Sequence, residues 1–289
     1  MPTRQHPDEP AGSGPLDVPA RSLGRNLPVA IASGVALVVL YTATLLYADY
    51  AFLMFVALVV VLGLLELDAA FRSRGLRPAT PVALGAGMVM LFGAYTDGAG
   101  AQTLGLVLLA LGAAAWTMLD SGRGRVAASI GATCLMTVWV PFQASFLALL
   151  LARDQGPLLV SAVVALAVTT DIAAFAWGSR FGRFRLAPTV SPSKTWEGFA
   201  GAVLTVLVLA ALVTPVFVDS LNMARATALG IGVALAATLG DLAESLIKRD
   251  LALKDLGRII PGHGGIMDRV DGLVFALPVA HLILVAFGL

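Results

Sequence analysis

Long apolar stretches are the feature that most constrains the fold of this chain. Several runs approach or exceed the ~20 apolar residues that cross a hydrocarbon core about 30 Å thick. The mean hydropathy is +0.88, and 58% of the 289 residues are hydrophobic, whereas a soluble globular domain is typically about 45–50% apolar. The sequence therefore predicts an all-α, polytopic integral membrane protein.

The apolar runs predict nine membrane helices in one multi-span domain that covers residues 27–289. The predicted spans are residues 28–47, 50–70, 79–96, 100–119, 126–151, 157–177, 196–218, 225–247 and 270–288. Residues 1–26 contain five prolines and few large apolar side chains, which is typical of a disordered tail. The first apolar run is longer than the hydrophobic region of a cleaved signal peptide, so it is interpreted as a retained span.

The lysines and arginines predict the orientation of these spans. With nine spans and a cytoplasmic N-terminus, 17 of the 19 Lys and Arg residues fall in the tail or in inner connections. Only Arg153 and Arg225 are left for the outer side. This asymmetry follows the positive-inside rule. We therefore expect a multi-pass protein of the inner (plasma) membrane, with segments 178–197 and 241–271 facing the cytoplasm together.

Five acidic residues are predicted to lie at this inner membrane edge: Asp171, Asp241, Glu244, Asp268 and Asp271. On a helix, Asp241, Glu244, Ser245 and Lys248 share one face. Carboxylates that converge at this depth would repel one another unless a cation lay between them. The favoured interpretation is a Mg²⁺ site, since this ion is typically held by one or two carboxylates plus substrate phosphates. The alternative is that the acids pair with nearby Lys and Arg and only lock helices together.

Other chemistry is disfavoured by composition. Cys134 is the only cysteine and lies in an apolar run, so a cysteine metal site is excluded, and His263 is the one imidazole in the charged region. A net charge of +1 argues against nucleic-acid binding.

Two loops are candidate phosphate sites. The segment Pro-Gly-His-Gly-Gly at 261–265 contains three glycines whose backbone N–H groups can approach an anion, and Lys254, Arg258 and Arg269 flank it. His263 is either a donor to phosphate or a turn residue. In the second loop, 191–198, two serines and a threonine surround Lys194 before the seventh span, which suits helix capping or phosphate contact.

These residues closely resemble the integral-membrane phosphatidate cytidylyltransferases, also called CDP-diacylglycerol synthases. Their motif runs Ser, two residues, Lys-Arg, four residues, Lys-Asp, then Pro-x-His-Gly-Gly and x-x-Asp-Arg-x-Asp, and it is satisfied from Ser245 to Asp271. The resemblance extends upstream through 171–198 and covers roughly residues 157–289. Ile172 and Phe175 depart from it, because a Ser or Thr and a Tyr are usual there.

The resemblance implies transfer of a cytidylyl group from CTP to phosphatidic acid, with Mg²⁺ as the metal, a second cation such as K⁺, and a homodimer. The implied catalytic residues are Asp241, Asp268, Lys248 and Arg249. The implied substrate-binding residues are Ser191, Ser193, Lys194, Thr195, Lys254, Asp255, His263, Gly264, Gly265 and Arg269. Asp241 and Asp268 are the implied metal ligands, and Asp171, Glu244 and Asp271 are further candidates.

Two other functions remain as alternatives. A CTP-dependent lipid kinase, acting on a polyprenol or on phytol, would transfer a terminal phosphoryl group and release CDP instead of pyrophosphate. A cation-coupled transporter would also use buried acids, but its site usually lies near the bilayer midplane, whereas the acids here gather at one edge.

Overall fold

The computed structural model describes residues 27–119, 124–257 and 264–289. Its helices and strands are α1 Leu27–Tyr47, α2 Asp49–Arg72, α3 Thr80–Asp97, α4 Ala99–Leu119, α5 Val126–Thr137, a π-helical turn Val138–Phe142, α6 Gln143–Leu151, α7 Gly156–Phe181, β1 Arg185–Ala187, β2 Ser191–Thr195, α8 Trp196–Leu212, α9 Thr214–Phe217, α10 Met223–Asp250 and α11 Met267–Ala286. The two short strands form one antiparallel hairpin between α7 and α8. The predicted tail, 1–26, lies outside the described residues.

The helices occupy all nine predicted spans. Within the described residues, seven helical stretches are long and apolar enough to cross a membrane: Asp49–Arg72, Ala99–Leu119, Val126–Leu151, Gly156–Phe181, Trp196–Phe217, Met223–Asp250 and Met267–Ala286. The all-α, polytopic class is therefore confirmed. Helices α1 and α3 coincide with the two other predicted spans, and their crossing of the membrane stays a prediction.

The fifth span is irregular where the sequence contains Pro141. Proline lacks a backbone N–H and crowds the preceding turn of a helix, and here the chain widens into the π-helical turn before it continues as α6. The Pro141 ring packs against α3 at Gly87, where an added Cβ would lie 2.6 Å from the Pro141 Cβ. The absent side chain of Gly87 thus makes room for the wider turn.

Basic side chains join several connections at one end of the helix bundle. The Arg74 Nε, just after α2, donates to the Leu251 carbonyl at 2.6 Å. Arg125 Nη1, just before α5, donates to the Arg74 carbonyl at 2.8 Å. Arg249 at the end of α10 donates to the Val190 carbonyl in the hairpin. We call this end, formed by residues 73–79, 182–195 and 251–257, the charged end.

The two basic residues predicted for the outer side lie at the opposite end of the helix bundle. Arg153, between α6 and α7, donates to the carbonyl of Leu289, and Arg225, near the start of α10, lies 6.0 Å from the centre of the Phe287 ring. The structure thus separates Arg153 and Arg225 from the charged end, as the alternation of nine spans predicts.

Glycines allow α10 and α11 to cross with their backbones in contact. A Cβ on Gly240 would lie 3.0 Å from the Cα of Gly272 and 3.1 Å from the carbonyl carbon of Asp271. Small residues of this kind let membrane helices approach closely. The crossing precedes Asp241 on α10 and includes Asp271 on α11, so it brings two of the predicted acidic residues to the same place.

We expect Gly240→Ala to destabilise the protein, because the new methyl group would meet backbone atoms that cannot move aside. Overpacking of this kind typically costs about 1–3 kcal/mol. Thermal unfolding of the detergent-solubilised protein should show a lower midpoint. Gly131→Ala on α5 is the matched control, since its Cβ would meet nothing within 4 Å and alanine favours helix. Equal midpoints for the two variants would contradict the crossing.

Candidate active site

A cavity of about 550 Å³ opens between α7, the hairpin, α8 and α10. Its polar wall includes seven residues singled out from the sequence: Asp171, Ser191, Ser193, Lys194, Thr195, Asp241 and Ser245. Its apolar wall includes Ala174, Phe175, Leu186 and Phe199. One cavity therefore joins the two separate sequence motifs and presents both charge and hydrocarbon to its contents.

The hairpin and the start of α8 are fixed by local hydrogen bonds. The Thr195 hydroxyl accepts from the Gly198 N–H at 3.1 Å, which is an N-cap. The Glu197 carboxylate accepts from the backbone N–H groups of Arg183 at 3.0 Å and Phe184 at 3.2 Å. Thr195 thus caps the helix, as one of the two interpretations of this loop predicts, and Glu197 ties α8 to the end of α7.

Lys194 and Asp241 form an ion pair across the cavity, between β2 and α10. Asp171 on α7 interacts electrostatically with Lys194 and with Asp241 and Asp271. The Ser245 hydroxyl lies 3.5 Å from the Asp241 carboxylate, one turn along α10. Lys194 therefore places a positive charge directly beside Asp241 on this side of the site.

A second ion-pair cluster joins α10 to the start of α11. The Lys248 Nζ lies 2.9 Å from Asp268 Oδ1 and 3.2 Å from Glu244 Oε2. The second oxygen of Asp268 accepts from the Gly265 N–H at 2.9 Å. The Asp268 carboxylate is thus held from both sides, by a lysine of α10 and by the backbone of the glycine loop.

Glu244 and Asp271 are the most deeply buried acids of the cluster, with exposed fractions of 1% and 9%. Glu244 Oε1 is buried without a hydrogen-bond partner among the described residues. An unpaired buried carboxylate oxygen is costly. The Glu244–Lys248 ion pair places these two side chains on one face of α10, as helical periodicity predicts.

The acids are chemically suited to a hard cation but do not form a protein-only cage. Among the described residues, no group of three or more Asp, Glu, His or Cys side chains converges as a ligand set. Asp241 and Asp268 each meet a lysine ammonium instead. The carboxylate oxygens fit Mg²⁺, which needs only one or two of them when substrate phosphates and water complete the shell. Ligation by these aspartates stays a prediction.

The other predicted site residues are more dispersed. Lys254 and Asp255 are exposed in the connection after α10. Gly264 has a positive φ of 89°, a conformation that favours glycine. Arg269 borders an apolar groove of about 280 Å³ between α1, α2 and α11, outside the cavity. Arg249 contacts Val190 and braces the hairpin. His263 and Arg258 lie outside the described residues.

Sequence reasoning missed Glu66 on α2. Glu66 is only 3% exposed, and its two carboxylate oxygens accept from the Ile266 N–H at 2.9 Å and the Met267 N–H at 3.0 Å. The available signal was the presence of two acidic residues, Glu66 and Asp68, in a span that is otherwise mostly apolar, since an ionisable residue there by default suggests function. Its partners lie some 200 residues downstream, so no local pattern could have revealed them.

Comparison with known proteins identifies similar sequences along almost the whole chain. The profile of the cytidylyltransferase family matches residues 28–287. A phosphatidate cytidylyltransferase of Mycobacterium bovis is 31% identical over 299 residues, covering 95% of this chain and 97% of the relative. One from Mycobacterium leprae is 33% identical, covering 90% and 88%. One from Staphylococcus epidermidis is 35% identical, covering 64% and 70%.

We expect Lys248→Met to destabilise the protein, because it leaves Glu244 and Asp268 without their shared cation. Removing one partner of a buried ion pair costs about 3–5 kcal/mol of folding free energy. Because Lys248 is partly exposed, we expect a smaller loss of about 2 kcal/mol. The thermal midpoint in detergent measures the effect. Adding Glu244→Gln should recover part of the loss.

The exposed Lys254→Met is the matched control for this experiment and should keep the original midpoint. If Lys248→Met melted at the same temperature as the control, the lysine would contribute nothing to the cluster.

Proposed function

The chain belongs to the cytidylyltransferase family, and on that premise we propose that it transfers the cytidylyl group of CTP to phosphatidic acid. The products are CDP-diacylglycerol and pyrophosphate. The observation that carries the proposal is the cavity in which Lys194 and Asp241 face an apolar wall. The similar proteins from Mycobacterium and Staphylococcus are phosphatidate cytidylyltransferases, which supports the same substrate.

The chemistry requires no protein nucleophile. The phosphate of phosphatidic acid is anionic at neutral pH, and its oxygen attacks the α-phosphorus of CTP. The new bond joins the lipid phosphate to this phosphorus, while the bond to the bridging oxygen breaks and its electron pair leaves with pyrophosphate. In such transfers the protein contributes mainly positioning and electrostatic stabilisation.

The lysines are suited to the handling of two polyanions. Lys194 and Lys248 already lie against carboxylates, so each can exchange its partner for a phosphate oxygen of the incoming nucleotide. Charge-assisted hydrogen bonds from Lys to phosphate are among the stronger polar contacts. Lys254 and Asp255 are exposed in the charged end, belong to the same motif as Lys248, and are proposed to contact the nucleotide.

Asp241 and Asp268 are the proposed holders of Mg²⁺, and Asp171, Glu244 and Asp271 are the neighbouring carboxylates. A bound magnesium ion would screen the repulsion between the substrates and the charge that develops on pyrophosphate. The protein residues keep the carboxylates in place before any ion binds, since Gly265 and Lys248 hold Asp268 from two sides.

The composition of the cavity wall suits an amphiphilic substrate. Phe175, which is 78% exposed, lies with Leu186 and Phe199 beside the charged residues. Apolar side chains at the mouth allow acyl chains to stay in hydrocarbon while the headgroup reaches Lys194. We further propose that the charged end faces the cytoplasm, where CTP is available, on the strength of the basic residues gathered there.

We expect Asp241→Asn and Asp268→Asn each to lower turnover by about a hundredfold or more, because each removes a charge proposed to hold the metal. Radiolabelled CTP and phosphatidic acid, separated by thin-layer chromatography, measure the labelled lipid product. Asp219→Asn, at the opposite end of the protein, is the matched control and should stay active. Near-normal activity of both site variants would remove the metal-ligand assignment.

We also expect EDTA to abolish turnover and added Mg²⁺ to restore it, because two polyanions react slowly without a screening cation. The same assay should release pyrophosphate in step with the lipid product. Full turnover in the absence of divalent ions would contradict the metal requirement. Release of CDP would instead identify a lipid kinase.

A further inference from the structure

The buried acid on α2 is the strongest feature that the proposed reaction leaves unused. Glu66 belongs to a different part of the chain from every residue in the two motifs. Its side chain nevertheless lies at the start of α11, where Asp268 occupies the first turn. A carboxylate is expensive to bury in a membrane helix, so its contacts need an explanation.

Both carboxylate oxygens of Glu66 accept hydrogen bonds from backbone N–H groups at the start of α11. Oε1 accepts from Ile266 at 2.9 Å and Oε2 from Met267 at 3.0 Å. These are among the N–H groups that have no partner within a helix, and a negative charge near them is further stabilised by the helix dipole. The pair of bonds fixes both the position and the direction of the first turn of α11.

Two glycines leave room for the Glu66 carboxylate. A Cβ on Gly257 would collide with the carboxyl carbon of Glu66. A Cβ on Gly265 would lie 2.7 Å from Glu66 Oε2 and 2.8 Å from Asp268 Oδ2. Glu66 and Asp268 therefore approach the same glycine of the loop, and the Gly265 N–H donates to Asp268.

We infer that Glu66 is a positioning residue for cytidylyl transfer, which acts by holding the first turn of α11, with Gly265 before it, so that Asp268 is correctly placed. This inference rests on the proposed function for its effect on turnover. Glu66 itself accepts from backbone N–H groups and is not among the residues that line the cavity. Its influence reaches the site through Ile266, Met267 and the Gly265–Asp268 bond.

The test begins with Glu66→Gln, which keeps the size of the side chain but replaces one acceptor oxygen with an NH₂ group that cannot accept. Partners that orient a metal ligand typically change metal affinity or activity by about 10–100-fold. We expect the Mg²⁺ concentration for half-maximal turnover to rise about tenfold. Asp49→Asn is the matched control, because Asp49 lies at the far end of the same helix and accepts from the Tyr95 hydroxyl.

A second readout needs neither substrate nor metal. Hydrogen exchange of the Ile266 and Met267 amides, followed by mass spectrometry of the metal-free protein, should be about tenfold faster in Glu66→Gln than in the wild type. Peptides from α8 should exchange at the original rate. A variant with lower turnover but an unchanged Mg²⁺ requirement and unchanged exchange would overturn the inference.

Gly257→Ala tests the same contact without altering Glu66, and it decides the matter if Glu66→Gln fails to fold. The new methyl group should displace the carboxylate and reproduce both effects. Gly85→Ala on α3 is its control, since nothing lies within 4 Å of the added Cβ. A wild-type Mg²⁺ requirement together with wild-type amide exchange in Gly257→Ala would overturn the inference.

The two proposals fail in different ways. A wild-type protein that is inactive on phosphatidic acid would overturn the proposed function, while the exchange experiment would still report on the Glu66 contact. An active wild type with a fully active Glu66→Gln variant would overturn this inference alone.

Discussion

Ion pairing between lysines and carboxylates at the end of the membrane helices is the interaction on which the site depends. Lys248 joins Glu244 to Asp268, and Lys194 joins the hairpin to Asp241. The Lys248–Asp268 pair joins the consecutive helices α10 and α11, and the Lys194–Asp241 pair joins β2 to α10. An isolated charge is costly where water is scarce, so these lysines and carboxylates must be paired correctly for the site to form.

The same pairs explain how a highly charged site can exist before substrates arrive. An acidic cluster alone would repel itself, and lysines alone would attract any anion. In ion pairs, the lysines and carboxylates compensate each other's charge, and each lysine can still exchange its carboxylate for another anion. Catalysis of phosphoryl-type transfers depends largely on such preorganised charge. The small-residue crossing at Gly240 and Gly272 lets the two acid-bearing helices approach closely enough for this compensation.

Hydropathy predicted the helices because lipid leaves the backbone few alternatives. The eighth span was predicted at 225–247, and the observed helix is Met223–Asp250. The shared face of Asp241, Glu244 and Lys248 also followed from helical periodicity alone. Contacts that depend on the tertiary fold could not be predicted from the sequence. The pairing of Lys194 with Asp241, and the role of Arg249 as a brace on Val190, depend on how the hairpin folds back onto α10.

The hydrogen bonds of Glu66 are the clearest example of a contact that the sequence pattern could not predict, since both partners lie at the start of α11, near residue 266. This contact has a consequence for biogenesis. The helix that carries Asp268 is synthesised after α2, so Glu66 lacks these two hydrogen-bond donors until α11 has been made. Insertion of α11 therefore completes a contact that α2 cannot make alone, and the two helices become linked by hydrogen bonds only at that point.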